Sequence, residues 1–204
     1  MFDLKIGIIG CGYWGKNLIR NFYELNVLKY VCDIQKKKAD EIANKYGVES
    51  KSLTEIFKIS DLDGIVIATP AKNHYDLAKK ALKADKHVFV EKPLSLNVFE
   101  ADDLCKISKH KKKVLMVGHL LQYHSAFLKL KEMVSKGKLG KLNYIYSNRL
   151  NLGKFRNEEN ILWSFAPHDI SMILSLVEDL PKTVFATGVA HLNKNIHDVT
   201  TTHL

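Results

Sequence analysis

Residues 4–25, LKIGIIGCGYWGKNLIRNFYEL, join an apolar run, a glycine-rich turn and an amphipathic segment without a break. The run Leu4–Ile9 predicts a buried first strand, and the segment from about Gly15 to Leu25 predicts a helix. Gly10, Gly12 and Gly15 fall on the turn in the spacing G-x-G-x-x-G. This string is weak evidence alone, but here it lies between a strand and a helix, where the motif needs to be.

Each glycine of this turn has a separate physical role in dinucleotide binding. Gly10 permits the tight turn, Gly12 lets the backbone approach a pyrophosphate, and Gly15 lets the helix pack close to the strand. The amino end of the helix then offers free N–H groups and a positive dipole to the phosphates. The sequence therefore predicts a dinucleotide-binding unit, and the alternative is a glycine-rich turn without a ligand.

Asp33 follows the predicted second strand, Leu28–Cys32, and lies eighteen residues after Gly15. A carboxylate there can accept hydrogen bonds from both adenosine ribose hydroxyls and repels a 2′-phosphate, which favours NAD over NADP. The alternatives are a turn or capping aspartate, and a phosphate accommodated by the nearby residues 36–38, all of which are lysine.

Strand and helix patterns alternate through the first 118 residues and predict a doubly wound parallel sheet of six strands. The elements delimited after Asp33 are a helix from about Lys36 to Tyr46 stopped by Gly47, a strand 63–68, a helix reaching about Lys83, a strand His87–Val90, a further helix and a strand Val114–Gly118. Capping signals are predicted at Ser52-x-x-Glu55, Asn73-x-x-Asp76 and Asn97-x-x-Glu100.

After Gly118 the pattern changes to that of an α+β domain. The predictions are a helix from about Gln122 to Lys136 ending at Gly137, an alternating strand Leu142–Leu150, a loop 151–159, a helix near Pro167–Val177, a strand Thr183–His191 and a β-prone end, Val199–Leu204. Period-two alternation predicts a half-exposed, open, mainly antiparallel sheet. The predicted domains are residues 1–119, a Rossmann domain, and residues 120–204, an incomplete α+β domain.

Composition excludes several classes of protein. The chain has 204 residues, a net charge of +9 and 46% hydrophobic residues, without an apolar run of membrane-spanning length or a signal-peptide pattern. We therefore predict a cytoplasmic protein without a membrane partner. The lysine-rich surface would suit nucleic acid or anionic small molecules, but no nucleic-acid module accompanies it, which favours solvated faces. The three cysteines, Cys11, Cys32 and Cys105, are predicted to be small buried hydrophobes, and no metal site is predicted.

Two further motifs lie at predicted carboxyl ends of strands, where ligands of open α/β sheets bind. Ala68-Thr69-Pro70 ends the fourth strand, and Glu91-Lys92-Pro93 ends the fifth. Lys92 could hydrogen-bond a substrate hydroxyl and stabilise the alkoxide that develops as hydride leaves. Taken alone, an exposed loop lysine is the simpler interpretation.

The glycine turn, these two motifs and Gly118-His119 together resemble the Gfo/Idh/MocA oxidoreductases, a family named for glucose–fructose oxidoreductase and inositol dehydrogenase. The resemblance implies a Rossmann domain, an α/β domain with a large open sheet, an NAD cofactor and a catalytic Lys92. The cofactor-binding residues predicted in this way are Gly10, Cys11, Gly12, Tyr13, Trp14, Gly15, Asp33, Thr69, Pro70, His74, Glu91 and Lys92. A packed structural role is the alternative for the scattered histidines; His119, at a strand end, could approach the nicotinamide or the sugar.

Two stretches of the second half, 148–156 and 163–169, resemble a branch that oxidises the 3-hydroxyl of UDP-linked N-acetylhexosamines or their uronic acids. By that resemblance His168 is the catalytic histidine that takes the hydroxyl proton, a task that suits imidazole. Asp169 would orient it or cap a helix. The predicted substrate-binding residues are Lys92, Arg149, Asn151, Arg156 and His168, with surface salt bridges as the alternative for the arginines.

The chain departs from the family pattern in two ways. Related enzymes carry an aspartate one helical turn before the histidine, where this chain has Ser164. Family members also continue well beyond residue 204, to strands that complete the substrate wall and the oligomer interface. The resemblance therefore implies a fragment, a truncated product or half of a split enzyme, and a homo-oligomer once the sheet is complete. The alternatives in function are a polyol or aldose dehydrogenase and a non-catalytic NAD-binding module.

Overall fold

A computed structural model describes residues 4–150 and 159–204. Contacts divide the chain into two compact units, the first ending at Gly118 and the second beginning at His119. This division lies one residue before the boundary predicted from the sequence. Within the described ranges, no helix combines the length and the apolar character needed to cross a lipid bilayer.

A six-stranded parallel sheet forms the centre of the first unit, which confirms the predicted doubly wound fold. Its strands are β1 (Ile6–Ile9), β2 (Leu28–Cys32), β3 (Glu49–Ser50), β4 (Gly64–Ile67), β5 (His87–Val90) and β6 (Leu115–Val117). They lie in the order β3-β2-β1-β4-β5-β6, so the direction of winding reverses between β1 and β4. The crevice at such a reversal, beyond the carboxyl ends of the strands, is where ligands of this fold bind.

Helices join the strands and cover the sheet. They are α1 (Gly15–Glu24), α2 (Lys36–Tyr46), α3 (Leu53–Ile56), α4 (His74–Lys83) and α5 (Val98–Lys111). Ile8, Val31 and Val66 belong to one buried cluster, and Ile9 and Ile67 belong to another. Because successive strand residues point to opposite faces, the two clusters are the cores on the two sides of the sheet. Burial on both faces explains why the strands are continuous apolar runs.

The helix ends confirm three of the four predicted signals. Ser52 and Glu55 form both hydrogen bonds of a capping box: Ser52 N donates to Glu55 Oε2 at 2.8 Å, and Glu55 N donates to Ser52 Oγ at 3.3 Å. Asn97 Oδ1 accepts a bond from Phe99 N at 2.8 Å, and Gly47 ends α2 in the left-handed conformation with φ 64°.

The predicted cap at Asn73 is wrong. A 3₁₀ turn, Ala71–Asn73, runs directly into α4, and Asn73 has φ −100° and ψ −7°. An N-cap side chain reaches the first free N–H groups from an extended backbone. Since the chain is already turning at Asn73, its side chain makes no capping bond.

In the second unit, both helices begin at residues other than the predicted ones. Helix α6 (Ser125–Ser135) follows a 3₁₀ turn, so it starts three residues after the predicted Gln122. Helix α7 (Ile161–Val177) starts six residues before the predicted Pro167, because Asn160 Oδ1 accepts a hydrogen bond from Trp163 N at 3.0 Å.

Strands β7 (Phe185–Val189) and β8 (Val199–His203) form an antiparallel pair. They lie within the predicted strand Thr183–His191 and the predicted β-prone end Val199–Leu204. The predicted strand Leu142–Leu150 is wrong, because the structure has no strand in that stretch. A strand exists only through backbone pairing with a neighbour, and within the described part of this unit β7 and β8 pair with each other alone. The predicted loop at 151–158 lies outside the described residues.

Candidate active site

The glycine loop has the conformation that its spacing predicts. Gly10 has φ +104°, and a Cβ built on it would lie 2.5 Å from Ala68 O. A Cβ on Gly15 would lie 1.9 Å from Gly10 O. Both positions therefore exclude any side chain, the first because of its φ and its close approach to β4, the second because helix α1 begins directly against the loop.

Gly12 differs from its neighbours, because a Cβ built on it would meet no protein atom within 4 Å. The fold therefore does not require glycine there. Glycine does leave the backbone of the loop open to an approaching group, next to the beginning of α1. An open backbone beside a helix amino end is what a pyrophosphate needs, so the loop fits the phosphates of NAD.

Asp33 joins the end of β2 to this loop. Its Oδ2 accepts a hydrogen bond from Cys11 N at 2.7 Å, and its Oδ1 accepts one from Gln35 N at 2.9 Å. A carboxylate oxygen has capacity for more than one donor. The side chain is therefore fixed by two backbone amides and keeps acceptor capacity for ribose hydroxyls.

The cysteines of this region are buried and serve as small apolar residues. Burial, with a smaller contribution from the Asp33 carboxylate, raises the pKa of Cys11 to about 12. The same causes raise the pKa of Cys32 to about 11. Cys105, by contrast, is exposed on α5, so the prediction of burial holds for two of the three cysteines.

Thr69 and Pro70 follow β4 at the same edge of the sheet. The Thr69 hydroxyl oxygen is buried and has no hydrogen-bond partner among the described residues. A buried hydroxyl without a partner is costly. Thr69 follows β4 at the winding reversal, and this position fits a role in holding the cofactor.

His74, at the start of α4, is only 1% exposed. Its Nδ1 lies 2.7 Å from Pro93 O, and its Nε2 lies 2.8 Å from Thr69 O. Its two nitrogens thus face the protein backbone. The sequence placed His74 among the cofactor-binding residues, but the structure favours the alternative of a packed histidine.

Glu91 connects three segments at the end of β5. Its Oε1 accepts a hydrogen bond from Trp14 Nε1 at 2.7 Å, and its Oε2 accepts one from Lys92 N at 3.3 Å. A Cβ on Gly118 would lie 2.9 Å from the same carboxylate, so glycine at the end of β6 makes room for it. Burial raises the pKa of Glu91 above its ordinary value, against the opposing effect of the Trp14 bond.

Lys92 therefore lies between a fixed carboxylate and a fixed proline. The Lys92–Pro93 peptide bond is cis, and the lysine side chain is half-buried. Strands β1, β4 and β5 are neighbours in the sheet, so their carboxyl ends bring the glycine loop, Thr69 and Lys92 to one edge. Sequence spacing predicted this edge, but it gave no sign of the contacts of Glu91 with Trp14 and Gly118, which depend on packing between distant segments.

In the second unit, His168 and Ser164 lie one turn apart on α7, and both are buried, with 9% and 1% exposure. The His168 ring meets the His119 ring edge to face, with centroids 6.2 Å apart. A serine hydroxyl carries no charge, so position 164 does not supply the electrostatic partner that an aspartate would.

Arg149 forms a bidentate ion pair with Asp169: Nε lies 2.7 Å from Oδ2, and the second contact joins Nη2 to Oδ1 at 2.8 Å. The salt bridge weighed as an alternative for Arg149 is thus present. Asp169 lies in the middle of α7 and does not cap it, which makes the capping interpretation wrong. The predicted substrate residues Asn151 and Arg156 lie outside the described residues.

The opposite edge of the sheet holds a separate cavity of about 480 Å³, lined by residues such as Asp63, Lys86 and His87 that precede or begin strands. Lys86 Nζ donates to Ile59 O at 2.7 Å and to Ser60 O at 3.2 Å. The lysine thus stabilises the loop after α3, and none of the predicted site residues lines this cavity. Across residues 4–150 and 159–204, no group of three or more histidine, cysteine or acidic side chains is arranged to hold a metal.

The doubly wound sheet, the glycine loop and the carboxylate after β2 define the class of NAD-binding Rossmann domains. Residues 4–119 match the sequence model of an oxidoreductase family with an NAD-binding Rossmann fold. The chain belongs to this family, the Gfo/Idh/MocA oxidoreductases, and the predicted family and cofactor are both confirmed.

Relatives with assigned activities include sugar and polyol dehydrogenases. The chain is 28% identical over 202 residues to a myo-inositol 2-dehydrogenase of Thermotoga maritima, covering 95% of this chain and 60% of that protein. It is 27% identical over 191 residues to a UDP-N-acetylglucosamine 3-dehydrogenase of Acidithiobacillus ferrooxidans, covering 93% of this chain and 59% of that protein.

A solved structure of the Acidithiobacillus ferrooxidans enzyme superposes with a TM-score of 0.89 at 27% identity, covering 99% of this chain and 63% of that one. The chain thus spans about three fifths of the length of these relatives.

Proposed function

We propose that this chain is the NAD-binding and catalytic part of a dehydrogenase that oxidises a sugar hydroxyl to a ketone. The observation that carries the proposal is Lys92, held by its neighbours at the edge of the sheet that also presents the glycine loop and Thr69. A cation at that edge lies where an alkoxide would develop beside a bound nicotinamide.

Two side chains are proposed to act on the hydroxyl group, each in a different role. The Lys92 ammonium donates a hydrogen bond to the hydroxyl oxygen and stabilises the negative charge that grows on it. The His168 imidazole accepts the hydroxyl proton. When bound, NAD supplies the ring carbon that accepts the hydride. The carbon–hydrogen and oxygen–hydrogen bonds break, a carbonyl forms, and protein groups contribute position and electrostatics.

The proposed substrate is a UDP-linked N-acetylhexosamine or its uronic acid, oxidised at the 3-hydroxyl. Similarity to the Acidithiobacillus ferrooxidans enzyme along nearly the whole chain supports this choice. The similarity to inositol dehydrogenases is comparable, which supports a free polyol as the second candidate. The proposal also includes a cytoplasmic location and a homo-oligomer once the second sheet is complete; sedimentation velocity of a protein with the completed sheet would test the second.

Thermal unfolding with NAD, with NADP and without either is the first test. A ligand that binds only the folded state raises the apparent stability, by about 2.7 kcal/mol at a hundredfold excess over Kd. NAD should therefore raise the midpoint more than NADP does. A cooperative transition that neither nucleotide moves would contradict NAD binding by this chain.

Turnover is then measured with UDP-N-acetylglucosamine, its uronic acid and myo-inositol, following reduced nicotinamide by absorbance. Lys92→Met should abolish turnover and spare NAD affinity, because the side chain keeps its length and loses its charge. The exposed Lys72→Met, in the turn before α4, is the matched control. NAD binding without turnover of any probe would favour a non-catalytic NAD-binding module, and retained turnover in Lys92→Met would remove the role of Lys92.

A further inference from the structure

His74 is a buried histidine whose ring connects two segments of the candidate active site. It is 1% exposed, so its ring is closed off from any ligand of the size of a sugar. The two atoms that it reaches, Thr69 O and Pro93 O, belong to the loops that follow β4 and β5. These loops carry the unpaired Thr69 hydroxyl and Lys92.

Both ring nitrogens lie at hydrogen-bonding distance from a carbonyl oxygen, 2.7 Å from Nδ1 to Pro93 O and 2.8 Å from Nε2 to Thr69 O. Carbonyl oxygens only accept, so the nitrogen that carries the ring N–H is the donor, and the tautomer decides which of the two carbonyls it bonds. A proline has no N–H of its own, and its carbonyl here is anchored by a side chain rather than by the sheet. The imidazole therefore bridges the two loops just beyond the last bond of the β4–β5 pairing.

Pro93 is one of two anchored neighbours of Lys92. The other is Glu91, whose amide donates to Ile67 O at 2.9 Å and whose carboxylate accepts from Trp14 Nε1 at 2.7 Å. The main chain of Lys92 is thus held from both sides. The Glu91 amide ties the residue before Lys92 to the last residue of β4, and His74 ties the residue after Lys92 to Thr69, two residues beyond that strand.

We propose that His74 is a positioning residue, which holds the Lys92 main chain at a fixed place relative to Thr69 and so aims the lysine at the reacting hydroxyl. That Lys92 contacts a substrate hydroxyl rests on the proposed function. That His74 holds the two loops together does not depend on it. A displacement of about 1 Å at a catalytic group can lower a rate about a hundredfold.

The variants are His74→Leu, which keeps most of the volume and removes the ring N–H, and His74→Gln, whose side-chain amide can donate to a carbonyl. Leucine leaves the carbonyl that the ring N–H bonds without that donor, so His74→Gln also guards against a variant that fails to fold. The matched control is His87→Leu. His87 is the first residue of β5, whereas Lys92 follows the other end of that strand. The His87 ring accepts a hydrogen bond from Val114 N at 3.0 Å.

Hydrogen exchange on the full chain gives the first measurement and requires no substrate. In His74→Leu, amides from Glu91 to Leu96 should exchange roughly tenfold faster, as expected for a lost hydrogen bond, while β1 keeps its protection. In His74→Gln these amides should exchange at rates between those of His74→Leu and wild type, and His87→Leu should leave their exchange rates unchanged. Equal acceleration in all peptides, or none at Glu91 to Leu96, would overturn the proposal.

Kinetics separate positioning from general stability. With NAD and whichever of UDP-N-acetylglucosamine or myo-inositol the wild type oxidises, kcat of His74→Leu should fall about ten- to a hundredfold, while the Kd for NAD stays within about threefold. His74→Gln should recover part of kcat. A fall in kcat that only tracks the folded fraction would also overturn the proposal. Failure of the wild type to oxidise either probe counts against the proposed function, and the exchange result still decides the role of His74.

Discussion

The indole Nε1 of Trp14 donates a 2.7 Å hydrogen bond to Oε1 of Glu91, across 77 residues of sequence. This bond joins the glycine loop to the residue that precedes the proposed catalytic lysine. The loop that would hold the phosphates and the loop that would hold the substrate hydroxyl are therefore mechanically connected. The carboxylate that mediates this connection is buried, and its titration can be measured.

Glu91→Gln should make the free energy of unfolding depend less on pH. Burial raises the pKa of Glu91 above its ordinary 4.5. A raised pKa in the folded state favours the protonated form, so this contribution to stability is complete below 4.5 and is lost as pH rises through the folded pKa. The free energy of unfolding of Glu91→Gln, relative to wild type, should therefore rise in urea titrations as pH increases above 4.5. The exposed Glu41→Gln is the control, and a pH-independent difference for Glu91→Gln would contradict this account.

Gly12→Ala and Gly15→Ala should separate cofactor binding from stability. A Cβ on Gly15 meets Gly10 O at 1.9 Å, so Gly15→Ala should destabilise the protein by about 1–3 kcal/mol. A Cβ on Gly12 meets nothing within 4 Å, so Gly12→Ala should keep its thermal midpoint and lose NAD affinity, measured by calorimetric titration. Wild-type affinity in Gly12→Ala would show that the phosphates do not approach there.

Asp33→Asn should weaken NAD binding and reduce the preference over NADP. The amide keeps an oxygen for Cys11 N or Gln35 N but loses the charge, and a charge-assisted hydrogen bond is worth about twice a neutral one. A loss of NAD affinity of about tenfold is expected, with little change for NADP. Titration of both nucleotides checks this, with Asp61→Asn, in the loop before β4, as control. An unchanged ratio of the two affinities would mean that other groups choose the cofactor.

Thiol labelling should distinguish the cysteines. A thiolate reacts and a thiol does not, and burial raises the pKa of Cys11 to about 12 and that of Cys32 to about 11. In the native protein a disulfide reagent should therefore label Cys105 alone, and denaturant should expose all three. Cys105→Ser should remove the native reaction. Fast labelling of Cys11 or Cys32 in that variant would show that the carboxyl ends of β1 and β2 open in solution.

Sequence reasoning succeeded where the decisive interactions are local. The glycine spacing, the Ser52–Glu55 capping box and the left-handed Gly47 each depend on residues a few positions apart, and all three are present. Buried parallel strands were also predictable, since burial on both faces leaves an apolar run that needs no partner to be recognised.

Sequence reasoning failed where the deciding interaction involves a residue or strand that the local pattern does not show. The alternation of Leu142–Leu150 is typical of a strand, but alternation cannot show whether a neighbour is present to pair with it. A helix was predicted near Pro167–Val177, yet Asn160 caps the same helix earlier. The contacts of His74 with Pro93 and of Glu91 with Trp14 were missed for the same reason: they join different segments of the chain, and no spacing encodes them.

Asp33 shows how the site is prepared in advance. Its two oxygens already hold Cys11 N and Gln35 N, so the turn after β1 and the turn after β2 are ordered together in the folded protein. The conformational entropy of that ordering is lost when the domain folds and not when a dinucleotide arrives. The adenosine end of the ligand therefore meets a rigid acceptor, and its affinity should depend on the fit of the ribose rather than on an induced rearrangement.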